Sequence, residues 1–219
     1  MKNHTLEAPR TLSAGSESTL GKGRAVSIGI LFIVQVLTAA IGLSFVQSFL
    51  LGEADRTTLT LGALLMMFSG ALIAAIGWLL YKVLRSTSKT LAAWVLALRA
   101  TEFVVVIVFG LYLLQNLRTV PNHLLWVYIL AGAAGVIFTG LLIASKLVPR
   151  PIAGLGLLGY SLILLGVALE FAGAIDMNAG LGQLLIVPGA LFEVVVLPIW
   201  LFAQGFKSAG AQSGGVNAA

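Results

Sequence analysis

The chain has 219 residues, of which 59% are hydrophobic and only 10% are charged, with a net charge of +5 and a mean hydropathy of +1.04. Because soluble domains are about 25% charged, this composition excludes a water-soluble globule. Cysteine is absent and histidine occurs only at His4 and His123. Disulfide frameworks, thiolate metal sites, and haem or zinc sites built from several histidines are therefore excluded, and we expect no cofactor and no metal.

Six long apolar runs follow a polar N-terminal stretch. We interpret residues 1–24, rich in Ser, Thr, Gly and charge, as a flexible tail. It is not a signal peptide, because the apolar run starts too far from the N-terminus. At 1.5 Å per residue, each run can cross an apolar layer of about 30 Å. In chain order the runs are Val26–Leu50, Leu59–Tyr81, Leu91–Leu114, Leu124–Ser145, Ile152–Phe171 and Gln183–Phe206.

These runs predict an all-α fold, an integral membrane bundle of six transmembrane helices. The transmembrane domain covers 25–206, and a second flexible tail covers 207–219. No alternating apolar and polar pattern favours a β-barrel. The lipid bilayer is the expected partner.

The distribution of Lys and Arg predicts the orientation. Ten basic residues lie in the two tails and in the second and fourth loops, whereas the other loops hold only Arg56 and Arg118. By the positive-inside rule, both termini are cytoplasmic. Since the basic residues are scattered among loops and not gathered on one face, we exclude nucleic acid as a partner.

A shift of 91 residues superimposes the first three runs on the last three and aligns Glu102 with Glu193. With three crossings in each half, a duplication would form a 3+3 inverted repeat, as in several transporters. Evenly spaced apolar helices produce the same overlay without duplication, so both interpretations remain open.

Three charged side chains are expected near the middle of the membrane. Arg99 and Glu102 are three positions apart on the third helix, about 12 and 16 Å from its cytoplasmic edge, and Glu193 lies about 15 Å from the outer edge of the sixth. A single charge facing lipid at this depth costs at least about 2.5–3.5 kcal/mol. We therefore predict that the three side chains face inward and meet.

One cation and two carboxylates leave an excess negative charge, so we expect the two glutamates to titrate as a unit. The cluster is our candidate ligand-binding site, and no residue is assigned as catalytic. The alternative is an inert ionic clamp that fixes helix packing.

Pro188 and Pro198 flank Glu193 at a distance of five residues each. Since proline has no N–H, the carbonyls of Leu184 and Val194 lose their helical partners. The freed carbonyls could contact a ligand, and we include both prolines in the candidate site. Plain kinking of the helix explains them equally well.

Other polar residues have simpler explanations. Glu170 and Asp176 are expected to be solvated, and Gln35 either lines a pocket or forms an interhelical hydrogen bond. Residues 154–159 match G-x-G-x-x-G, but a dinucleotide site requires a preceding strand, so this match indicates close helix packing.

The chain resembles a family of bacterial six-helix membrane proteins, the domain of unknown function 4386. The resemblance covers about 24–206 and rests on Arg99-Ala100-Thr101-Glu102, on Ser145-Lys146-Leu147-Val148-Pro149-Arg150, and on the run from Pro188 through Glu193 to Trp200-Leu201 and Gly205. Met66 departs from the pattern, since some relatives have Glu there. The resemblance implies this topology and a bacterial cytoplasmic-membrane location, but no established activity.

Three functions agree with these features. The first is binding or translocation of a small solute, a lipid headgroup or protons at Arg99, Glu102 and Glu193. The second is a structural or accessory membrane subunit, in which small-residue helix faces bind another membrane protein or a second copy of the chain. The third is a membrane enzyme in which the two carboxylates act as acid and base, although no nucleophile–base pair supports it.

Overall fold

The computed structural model describes residues 14–206, with side chains from residue 22 onward. Within this range the chain is all-helical, and six helical segments are long and apolar enough to cross a membrane, as predicted. The elements are α1 (Ala14–Leu50), α2 (Arg56–Leu84), α3 (Lys89–Asn116), α4 (His123–Ser145), α5 (Arg150–Phe171), α6 (Leu181–Leu191), a π-helical turn (Phe192–Val196) and α7 (Leu197–Ala203).

The sixth apolar segment, Leu181–Ala203, consists of α6, the π turn and α7. At the other end of the chain, α1 begins at Ala14, and its part that is apolar enough to cross a membrane begins at Lys22. Because no proline follows Pro9 in this region, nothing prevents a helix from extending beyond its apolar part. Residues 1–13 and 207–219, predicted as tails, lie outside the described residues.

Short loops between the helices place consecutive helices antiparallel to one another. Asp55 caps α2 by accepting hydrogen bonds from the backbone N–H and the hydroxyl of Thr58, at 2.9 and 2.8 Å. These bonds stabilise the carboxylate and lower the pKa of Asp55 below its ordinary value. Ser88 caps α3 through its hydroxyl, which accepts a hydrogen bond from the backbone N–H of Leu91, and α5 begins after Pro149.

The helices pack in a ring. Each of α1 to α5 packs against the next segment of the chain, and α1 closes the ring by packing against the π turn and α7. Glycines allow two of these contacts to be close. A Cβ atom added at Gly42 of α1 would lie 2.8 Å from the carbonyl oxygen of Gly62 in α2, and one added at Gly159 of α5 would lie 2.5 Å from the backbone nitrogen of Gly189 in α6.

We call the end of the bundle where α1 begins and α7 ends the terminal end. The large hydrophobic core lies there and includes Ile28, Leu80, Val95, Leu142 and Leu201. Two small separate clusters lie at the opposite end. One joins α1, α2 and α3, and the other joins α4, α5 and the loop before α6. The bundle is therefore solidly packed at one end and divided at the other.

Candidate functional site

The structure brings Arg99, Glu102 and Glu193 together in the middle of the bundle. Nη1 of Arg99 lies 2.9 Å from Oε2 of Glu102, one turn further along α3. Nη2 of Arg99 lies 3.4 Å from Oε1 of Glu193, in the π turn. The guanidinium group thus bridges two helices and contacts both carboxylates.

Burial differs among the three charged side chains. Those of Arg99 and Glu102 are 6% and 3% exposed, whereas that of Glu193 is 15% exposed. Nε of Arg99 is buried and has no hydrogen-bond acceptor. Because an unpaired buried N–H is costly, this donor is suited to a water molecule or a ligand atom.

Tyr160 of α5 is a fourth member of the cluster, and the sequence analysis missed it. Its side chain is buried, and its hydroxyl donates a hydrogen bond to Oε1 of Glu193. The ring lies against Gly135 of α4, where an added Cβ atom would overlap it. Tyr160 is ten residues from the start of α5, as Arg99 is from the start of α3. Counting depth for every polar residue could therefore have found it.

An aromatic layer lies on the terminal side of the cluster. Phe192 precedes Glu193, and its ring contacts both Tyr160 and Phe138 at centroid distances of 6.1 and 6.4 Å. Phe138 in turn stacks on Phe32 of α1. The layer consists of Phe32, Phe138, Tyr160 and Phe192, and all four belong to the large hydrophobic core.

The π turn explains how Glu193 reaches the cluster. Pro198 has no N–H to offer the carbonyl of Val194, and just before it the helix widens, with the N–H of Leu197 bonding to the carbonyl of Phe192. π turns commonly occur at functional sites, because they reorient a side chain within an otherwise regular helix.

A cavity of about 340 Å³ begins at the charged cluster and extends toward the opposite end. All six apolar segments contribute to its wall. Its polar lining consists of Arg99, Glu102, Tyr160, Glu193, Gln35, Ser69 and Tyr128, and its remaining walls are apolar or small residues. Nε2 of Gln35 donates to the hydroxyl of Ser69 at 3.3 Å, which joins α1 to α2.

The two prolines of the candidate site do not line this cavity. Pro198 is buried at the start of α7, and Pro188 lies within α6, whereas Gly189 and Ala190 line the cavity. The physical reason is that a proline acts on the carbonyl one turn earlier, so its own ring need not face the site. Their role here is to shape the helix that carries Glu193.

The structure also gives the positions of the other residues for which the sequence made a prediction. Glu170 is partly buried, and its Oε2 accepts a 2.8 Å hydrogen bond from the backbone N–H of Met177, which fixes the loop before α6. Asp176 is exposed, as expected. Met66, where some members of the resembled family have Glu, lines the cavity. Of the G-x-G-x-x-G glycines, Gly156 and Gly159 make close helix contacts, but Gly154 faces open space.

Within residues 14–206, no group of three or more His, Cys, Asp or Glu side chains could hold a metal ion. Comparison with known proteins finds no matching family, no similar curated protein and no similar solved structure. The resemblance to the domain of unknown function 4386 therefore stays a prediction.

Proposed function

We propose that this multi-pass membrane protein binds or translocates a small amphipathic solute at Arg99, Glu102 and Glu193, with proton uptake and release at the two carboxylates. The observation that carries the proposal is the 340 Å³ cavity with apolar walls that ends on these buried charges. Ligand sites typically combine a mostly apolar concave wall with a few convergent polar groups. Buried ionisable residues in a membrane helix bundle are also typical of solute and proton pathways.

Glu193 is the proposed point of exchange. It is the most exposed of the three charged side chains, and its Oε1 receives both the Arg99 and the Tyr160 interaction. With one guanidinium and two carboxylates, the ionised cluster carries a net formal charge of −1. Binding of one proton neutralises that charge, and a positively charged ligand can do the same.

The basic-residue distribution supports cytoplasmic termini, and the family resemblance supports a bacterial cytoplasmic membrane. In this orientation the terminal end with its solid core faces the cytoplasm, and the cavity faces the outer leaflet. Ten basic residues on the terminal side against two on the other carry this part of the proposal.

The test uses the purified protein in lipid nanodiscs. Native mass spectrometry of small molecules that co-purify would be compared among wild type, Glu193→Gln and Glu53→Gln, the last an exposed loop glutamate. We expect a molecule present in wild type and the control but lost from Glu193→Gln. Proton flux into proteoliposomes under a pH gradient provides the second readout, and we expect it to depend on Glu193.

Absence of both a retained molecule and proton flux would refute the proposal and favour the structural alternative. In that alternative, Arg99 and Glu193 only join α3 to the sixth segment. A stoichiometric membrane partner that still binds after Glu193→Gln would then identify an accessory subunit.

A further inference from the structure

The cavity lies beside a gap in the ring of helices. α1 packs against the π turn and α7 but makes no extensive contact with α6. Ala39 and Ala40 of α1 and Ile186 and Ala190 of α6 nevertheless line the same cavity. The two helices therefore diverge on the side of Glu193 away from the terminal end, and we call the space between them the α1–α6 cleft.

Two glycine contacts support this divergence. Gly42 holds the end of α1 against α2, and Gly189 holds α6 against α5. The two helices thus have their close partners on opposite sides of the cleft. The residues that flank it are small or apolar, so in a membrane the cleft faces acyl chains.

The charge balance of the cluster determines which head group fits. One guanidinium and two carboxylates give a net formal charge of −1, and the accessible group is the Glu193 carboxylate. A bound monovalent anion would make the net charge more negative, at −2, whereas a bound monocation would neutralise the cluster. Water at Nε of Arg99 would satisfy that donor without changing the charge.

We propose that a lipophilic monocation, such as an amine or quaternary ammonium with an apolar tail, enters through the α1–α6 cleft and displaces a proton at Glu193. The head group lies beside Glu193 and the tail lies along the apolar wall of the cavity. This inference rests on the proposed function and specifies its ligand class.

The groups around Glu193 define the competition between proton and cation. Arg99 and Glu102 face it from α3, and Tyr160 from α5. Tyr128 of α4 is on the same cavity wall, while α1 and α2 contribute the non-titrating Gln35 and Ser69. Since one positive charge neutralises the cluster, proton and monocation exclude each other.

The test measures equilibrium binding of radiolabelled decyltrimethylammonium to nanodiscs that contain the protein, after subtraction of empty nanodiscs. Decyl sulfate and decanol have the same tail and serve as the anionic and neutral probes. We expect saturable binding of the cation alone, with an apparent Kd that rises by up to about tenfold for each unit of falling pH as protons occupy the site. This pH series uses the wild-type protein and does not depend on any variant folding.

Two variants and one control variant complete the test. Glu193→Gln should weaken cation binding at least about tenfold and abolish its pH dependence. Ala39→Phe narrows the cleft and should slow association of the cation, followed as the time course of binding before equilibrium, whereas Leu37→Phe, on the lipid-exposed face of α1, should leave this rate unchanged.

Binding of decyl sulfate or decanol that requires Glu193 would overturn the cationic ligand class and leave the proposed function standing. Cation binding that is independent of pH, or binding of none of the three probes, would overturn the inference. A molecule lost from Glu193→Gln in the mass-spectrometric experiment would still support the proposed function in that case.

Discussion

Replacement of Arg99 by glutamine removes the cation that contacts both Glu102 and Glu193. At N···O distances of 2.9 and 3.4 Å and an effective dielectric constant of about 20, each ion pair is worth about 5 kcal/mol of Coulomb energy. Desolvation offsets most of this gain, and measured costs of breaking a buried pair are about 3–5 kcal/mol. We therefore expect Arg99→Gln to lower the free energy of unfolding by about 3–5 kcal/mol, equivalent to roughly 6–20 °C in Tm for a chain of this size.

The assay is thermal unfolding in detergent, followed by intrinsic tryptophan fluorescence. The Arg99→Gln/Glu102→Gln double variant should recover at least half of the lost stability, because it leaves one carboxylate, which still accepts the Tyr160 hydrogen bond. Arg118→Gln, in an exposed loop, is the control and should unfold like wild type. If Arg99→Gln is as stable as wild type, or if the double variant gains nothing over it, the reasoning from buried charge is wrong.

Three further predictions concern packing and capping. Gly135→Ala should displace the tyrosine ring of the cluster and cost about 1–3 kcal/mol of stability, whereas Gly140→Ala on the same helix meets open space and should be neutral or stabilising in thermal unfolding. Gly159→Ala should force apart two helix backbones and destabilise the protein more than Gly154→Ala, which is again unopposed; equal Tm values for the pair would contradict the close contact. Asp55 has a lowered pKa in the folded state, so Asp55→Ala should destabilise at neutral pH, and the difference from wild type should vanish as pH falls below 3.8 and through the lowered value.

The six apolar helical segments and the convergence of the three charged side chains follow directly from the sequence. Long apolar runs leave the backbone no alternative to helix in lipid, and the cost of exposing Arg99, Glu102 and Glu193 requires them to face inward. Depth along each helix can be counted from residue number. The length of an apolar run and the depth of a charged residue are both properties of a single helix.

Features that depend on two helices could not be predicted in this way. Tyr160 joins the cluster because Gly135 on another helix makes room for its ring. The divergence of α1 from α6 depends on which neighbour each helix contacts most closely, and small residues occur on many faces of this chain. The π turn is also invisible in the apolar pattern, since a single widened turn changes no residue type.

The backbone contact between Gly159 and Gly189 determines which parts can move as one body. Because α6 cannot leave α5 without losing this contact, widening of the α1–α6 cleft would have to move α5 together with α6. Ring contacts of Phe138 with Phe32 and with Phe192 join α1, α4 and the π turn beside the charged cluster. Glu193, next in sequence to Phe192, therefore lies at the closed end of the cleft, where α1 packs against the π turn.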